Sequence, residues 1–480
     1  GAGDPSHVMD YAAFLVFIAL FIGIGFLSAR HADNEAADFL LAGRSVSPVL
    51  TALSAASTKY TGDMFIGLIG YLYTFGLSGI WLAAGFFFGD LVAYILMQNR
   101  IREATAKTGA LTFAELISRW HGDESRVVRF AVGLLTLVFL STYAAAQLGA
   151  GGKALEVLFG WPALSGAFVG AGMILIYCWV GGLRASIWTD AGQSMLMMAA
   201  MWLLVFIVVD DAGGVRPLMA KLDAVSSTYM DPGIDRFGGF WPMALFAFGW
   251  LFNGIGVVGQ PQVMVRFMAL DQRHRSGEVA FCYFAWSAAF LVATVVVGLA
   301  THAYIPNAAG FDAELALPTL AKELLPGLAV GIVVGGIFAA SLSTADSQVL
   351  SSAAVLSDDY RILRGRGARR LATLLVVCVA LAIAIFASAN VFTLVIFSWS
   401  ALACSIGPLV ILQSLGQPLS QRLSLTMMVV GLGVALIWRW IGLNENVYEG
   451  LPGMTAAFAV WFLAQFPRWF GRRINSSEQA

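Results

Sequence analysis

Apolar residues run along this chain in stretches of about 20, the length a helix needs to cross the hydrocarbon core of a bilayer. Polar residues collect between those stretches. The pattern predicts thirteen spans, at 9–29, 46–73, 75–98, 127–150, 162–180, 186–209, 239–265, 278–304, 325–356, 370–388, 390–414, 423–442 and 449–467. Gly, Ser and Thr interrupt several of them, the second and ninth above all. The longest polar connections, 99–126 and 210–238, are each under thirty residues, so no separate soluble domain is expected. The expected fold class is all-α integral membrane.

Composition strengthens this picture. Of 480 residues, 59% are apolar and only 12% charged, with a mean hydropathy of +0.78. A soluble domain carries about 25% charged residues, so lipid must be the solvent for most of this surface. The net charge of −1 gives no reason to expect a nucleic-acid partner. Cys178, Cys282, Cys378 and Cys404 fall inside apolar runs and show no CxxC spacing. They read as small hydrophobes rather than metal ligands or a disulfide framework. Residues 1–8, ahead of Met9, read as an added segment or a disordered N-terminus. The first span is too long for a removed signal peptide and lacks a cleavage site.

Lysine and arginine set the orientation, because cytoplasmic connections retain them. If the first connection lies inside, 21 of the 28 fall inside and six outside, with Lys59 within a span. This predicts an external N-terminus and a cytoplasmic C-terminus.

Ionisable side chains at membrane depth are costly and therefore candidate functional groups. Four stand out: Lys59 and Asp63 in SAASTKYTGDMFIGLIG (54–70), Asp190 in GGLRASIWTDAGQ (181–193), and Asp346 in FAASLSTADSQVLSSA (338–353). Ser343, Asp346 and Ser347 share one helical face, with Thr344 beside it. Hydroxyls, carbonyls and carboxylates are hard ligands suited to an alkali cation, the carbonyls coming from the loosened backbone of the second span. Lys59 must pair with an anion, meet water or lose its proton. It could be a counter-ion for a solute carboxylate, a fixed partner for Asp63, Asp346 or Asp190, or a proton-coupled stand-in for a bound cation.

FLLAGRSVSPVLTALSAAS (39–57), GGLRASIWTDAGQ (181–193), VGQPQVMVRFMA (258–269) and SLSTADSQVLSSAAVLSDDY (341–360) resemble the solute:sodium symporter family, most of all its sodium/proline branch. The resemblance implies a leucine-transporter-like core of two inverted five-helix repeats with broken helices, at 46–210 and 238–415. An extra N-terminal helix at 9–30, two C-terminal helices within 420–470 and a cytoplasmic tail at 471–480 complete the expected organisation. It also implies sodium as the co-transported ion, held by backbone oxygens of Ser57, Tyr60 and Ala340 and the hydroxyls of Ser343 and Thr344. Asp190 corresponds to an acidic residue just below that site. Asp346 and Ser347 stand where relatives with a second sodium position carry serines. Arg44 matches an arginine that affects coupling.

The residues expected to face the solute are Lys59, Asp63, Met64, Asn253, Val257 and Gln260. Several depart from the proline branch, which has aspartate at Lys59, tryptophan at Asp63, and Trp and Tyr at Asn253 and Val257. The expected function is alternating-access uptake of a small polar organic solute, amino-acid-like or carboxylate, driven by inward sodium flow across a bacterial-type plasma membrane. Tyr60, Phe65 and residues 391–405 are the expected gates. One alternative keeps the fold but is proton-coupled or sodium-independent; another is a solute-sensing receptor without transport. No hydrolytic motif lies in the spans, so enzyme activity is not expected, and the oligomeric state is left open.

Overall fold

The computed structural model describes residues 5–29, 40–270, 276–305, 310–363, 367–386 and 390–477. The helices that matter for the site are α1 (Pro5–Ala29), α2 (Pro48–Lys59), α3 (Gly62–Phe75), α4 (Ile80–Thr108), α5 (Arg126–Phe159), α6 (Ala163–Asp211) and α7 (Phe240–Ile255). They continue with α8 (Pro261–Met268), α9 (Ser276–Tyr304), α10 (Gly327–Ala354), α11 (Ala368–Phe386), α12 (Val391–Ser414), α13 (Gln421–Trp440) and α14 (Gly450–Ser477). No strand occurs among the described residues. A parallel bridge between Val46 and Leu270 joins the segment before α2 to the segment after α8.

Two expected spans are broken helices, and local chemistry explains both breaks. Pro48 starts α2 behind Ser47, whose hydroxyl accepts from the Leu50 N–H. The chain leaves the helix at Tyr60 (φ −88°, ψ 91°), and Thr61 opens α3 by accepting from the Asp63 N–H at 3.1 Å. The α7–α8 break is a 3₁₀ turn over Gly256–Gly259, an extended Gln260, and Pro261 at the first position of α8. Each break strands backbone groups that need partners.

The expected spans 162–180 and 186–209 form one 49-residue helical run, α6, kinked at Gly182 (φ 53°, ψ −141°). Only glycine adopts that conformation without strain. By length and apolarity, nine stretches among the described residues could cross a membrane, not thirteen. The α3–α4 run counts once through its Gly76–Gly79 turn, and the first half of α6 and the middle of α1 fall short of full length.

Both ends of the chain also differ from expectation. Helix α1 begins at Pro5, within the segment set apart as 1–8, and α14 runs to Ser477, into the expected tail. Arg30, Arg273, Arg275, Arg364 and Arg366, which contribute to the charge asymmetry, lie outside the described residues.

Helix α10 packs chiefly against α6 and α5, and α4 against α7. Helices α10 and α12 are mostly buried, whereas α11 and α13 expose most of their length. The polar string of α10 therefore lies in the protein interior rather than against acyl chains, as a Ser/Thr/Asp-rich segment at membrane depth requires.

Candidate functional site

Helix α2 stops at Lys59, so the Ala56 carbonyl still takes the Tyr60 N–H but those of Ser57, Thr58 and Lys59 have no intrahelical donor. Helix α10 meets the first two with hydroxyls. The Ser343 hydroxyl donates to the Ser57 carbonyl at 3.0 Å and lies 3.1 Å from the Ala340 carbonyl. The Thr344 hydroxyl lies 3.4 Å from the Ser57 carbonyl, 3.2 Å from that of Thr58 and 3.2 Å from that of Ala340. All these residues are buried. Four of the five expected cation ligands, Ser57, Ala340, Ser343 and Thr344, thus converge on one spot, with Tyr60 at the helix break beside them. Neutral oxygens from two elements, one of them unwound, are a donor set that fits an alkali cation.

A buried charge cluster adjoins this spot. Asp190 accepts from Ser54 at 2.5 Å and from the Arg266 guanidinium at 3.1 Å, with Thr58 at 3.5 Å. Arg266 also donates to Ser54 at 3.1 Å, the Gln262 carbonyl at 2.8 Å, Ser186 at 2.8 Å, and Ser347. The Ser347 hydroxyl reaches the Ser343 carbonyl at 2.7 Å and Asp346 Oδ1 at 2.9 Å. One oxygen each of Asp190 and Asp346 has no partner among the described residues. Arg266 corrects the charge count: its position at the end of a span assigns it to a cytoplasmic connection, but it is fully buried. The RFMA motif gives no hint of its partners, which come from α2, α6 and α10.

Lys59 binds none of the three carboxylates proposed for it. Its ammonium donates to Asp90 at 2.5 Å and to the Phe86 carbonyl at 2.8 Å, both on α4, and the Tyr283 hydroxyl donates to the same Asp90 oxygen at 2.5 Å. Asp90 sits in the apolar run GFFFGDLVAYILM, and its charge at membrane depth was the available signal. Gln147 of α5 is a second residue missed from sequence. Its carbonyl oxygen accepts from the Gly62 N–H at 3.0 Å and its amide donates to Thr61 at 3.3 Å, so it partners groups stranded by the helix break.

Beside the break lies a cavity lined by Lys59, Asp63, Met64 and Asn253 together with aromatic residues. The space open to water is about 20 Å³, room for a water or two, so a solute must displace the walls. Tyr60, Phe86, Tyr143 and Trp399 are the aromatic members of the lining. Of the expected solute residues, Val257 and Gln260 lie outside it. Gln260 donates to the Trp399 carbonyl at 3.0 Å, and Trp399 donates to the Asn253 carbonyl at 2.9 Å, joining the α7–α8 break to α12. Above the break, Tyr60 and Phe65 pack on Phe290, with ring centroids 6.1 and 5.6 Å apart. Arg44 is remote from the cavity and donates to the Ala110 carbonyl at 3.0 Å.

The family model for sodium:solute symporters matches residues 39–431. The high-affinity proline transporter PutP of Bacillus subtilis is 29% identical over 462 residues, covering 92% of this chain and 96% of that protein. A sodium/proline symporter of Escherichia coli is 30% identical over 460 residues, covering 92% and 89%. Among solved structures, a substrate-bound, outward-open Na+-coupled sialic acid symporter superposes with a TM-score of 0.80 at 16% identity, covering 94% of this chain and 96% of that one. A closed nucleobase-cation-symport-1 transporter superposes with a TM-score of 0.59 at 15% identity, covering 91% and 95%. These likenesses identify the leucine-transporter-like fold. The chain belongs to the sodium:solute symporter family.

Proposed function

We propose that this protein is a secondary active importer that uses inward sodium flow to take up a small polar organic solute by alternating access. The observation that carries the reading is the convergence of Ser57, Ala340, Ser343 and Thr344 oxygens where α2 unwinds against α10. Sodium there, completed by the Tyr60 carbonyl, would hold the end of α2 against α10 and so organise the adjoining cavity. Linkage then requires solute and sodium to raise each other's affinity by one common factor. Asp346, Ser347 and Asp190 supply negative charge and oxygens beside the ion.

The proton-coupled alternative uses Lys59 as a stand-in cation. Its bonds run to Asp90 and Phe86 of α4, away from the oxygens of the cation site, which favours sodium. We also infer thirteen crossings, counting each broken helix and each half of α6 as one, with two inverted repeats at 46–210 and 238–415. An external N-terminus and a cytoplasmic C-terminus in a bacterial plasma membrane fit the charge asymmetry, which stays at twenty against six once Arg266 is removed.

The proline of the named relatives makes small amino acids the first solutes to test. Proteoliposomes carrying the protein should accumulate solute under a sodium gradient and not under a pH gradient alone. Uptake that ignores sodium would overturn the reading.

A further inference from the structure

Among the described residues, Asp63 is fully buried, lines the cavity, and has no hydrogen-bond partner on either carboxylate oxygen. Its place explains how it persists there. It is the second residue of α3, where the positive end of the helix favours a carboxylate, and Gly67 one turn on leaves room for it: a Cβ at Gly67 would collide with Asp63 Oδ1. The lysine on the same cavity does not neutralise it, because Lys59 is already matched by Asp90, itself shared with Tyr283. The cavity therefore holds one carboxyl group that no cation of the protein itself compensates. Around it stand the rings of Tyr60, Phe86, Tyr143 and Trp399, and aromatic rings attract cations. Tyr60 already does so, with the Lys59 ammonium 5.0 Å from its ring centroid.

Charge accounting over the core gives the same result. Among the described residues, the buried charged residues are Lys59, Arg266, Asp63, Asp90, Asp190 and Asp346, plus Glu314 and Glu449. The two glutamates pair with Lys153 and Arg439. The other six leave a formal charge of −2, which one sodium ion and one further monovalent cation would balance.

We propose that the second cation is the solute: the cavity selects a positively charged nitrogen, seated on Asp63 among the aromatic rings, and requires no anionic group on the same molecule. This departs from the reading of Lys59 as a counter-ion for a solute carboxylate, and it rests on the sodium-coupled reading above. Lys59 and Asp90 form the neutral wall.

The test is thermal unfolding of the purified full-length protein with and without sodium. The probes are methylammonium, pyrrolidine and choline, set against acetate and cyclopentanecarboxylate, with L-proline as a zwitterion. Sodium alone should raise the unfolding temperature, and in its presence at least one amine at millimolar concentration should raise it further, while the carboxylates do not. Asp63→Asn should keep the sodium shift, which shows that the variant is folded, and should need at least about tenfold more amine for the same effect. Asp63→Glu should restore part of the loss. An amine response unchanged in Asp63→Asn overturns the proposal. So does a carboxylate acting as strongly as the amines, or no amine response while sodium still stabilises. Absence of any sodium shift would instead sink the sodium-coupled reading on which it rests.

Discussion

Lys59 and Asp90 are both nearly inaccessible, with side chains 3% and 4% exposed. Removing one member of such a pair strands the other, at about 3–5 kcal/mol, whereas replacing both by apolar groups of similar size is often neutral. Lys59→Met should therefore lower unfolding stability by that amount, and the double variant Lys59→Met with Asp90→Leu should recover most of it in denaturation measurements. Asp63 behaves differently. It has no partner to strand, so Asp63→Asn should change the stability of the solute-free protein by less than about 1 kcal/mol while weakening amine binding. At the cation site, Ser343→Ala removes a single oxygen. Loss of a hydrogen-bond-strength ligand to a charge is about 1.5–3 kcal/mol, so half-saturation by sodium in uptake assays should rise roughly 10–100-fold. Unchanged sodium affinity would remove Ser343 from the ligand set.

At the scale of elements, the break in the second span was legible because its cause is local: a Ser/Thr string and charges inside an apolar stretch mark a backbone that cannot run as plain helix in lipid. The same composition marked the ninth span, yet α10 runs unbroken, and the break at Gln260–Pro261 was expected only through the family resemblance. The facing hydroxyls of α10 were legible locally too, since Ser343 and Ser347 lie one turn apart. Pairings across the core were not. Asp90 meets Lys59 from 31 residues away and Arg266 meets Asp190 from 76, and nothing in either local pattern encodes the partner. The kink of α6 was half legible, with a Gly pair marking a boundary between spans but not a left-handed turn inside one helical run. Gly182→Ala should cost about 1–3 kcal/mol, because a Cβ strains φ 53°. It should also misdirect Asp190, two turns on, so that sodium dependence of uptake falls together with stability. A loss of stability with sodium response intact would separate the kink from the site.

For the whole molecule, α2 and α10 lie far apart in sequence, and an ion at their junction binds only when both are in place. Sodium at about 100 times its dissociation constant should stabilise the folded protein by roughly 2.7 kcal/mol, and potassium or lithium of the same ionic strength should serve as controls for selectivity in the same melt. The formal −2 of the six buried core charges bears on the transport cycle itself. Loaded with sodium and a cationic solute, the core is electrically neutral and its reorientation does little work against the membrane potential. Emptied, it has a formal charge of −2, and an interior-negative voltage pushes each carboxylate that is ionised in that state outward with about 2.3 kcal/mol per charge per 100 mV, to the extent that the field drops across those residues. The resting potential of the cell would thus act as a return spring, resetting the unloaded carrier instead of dragging its cargo.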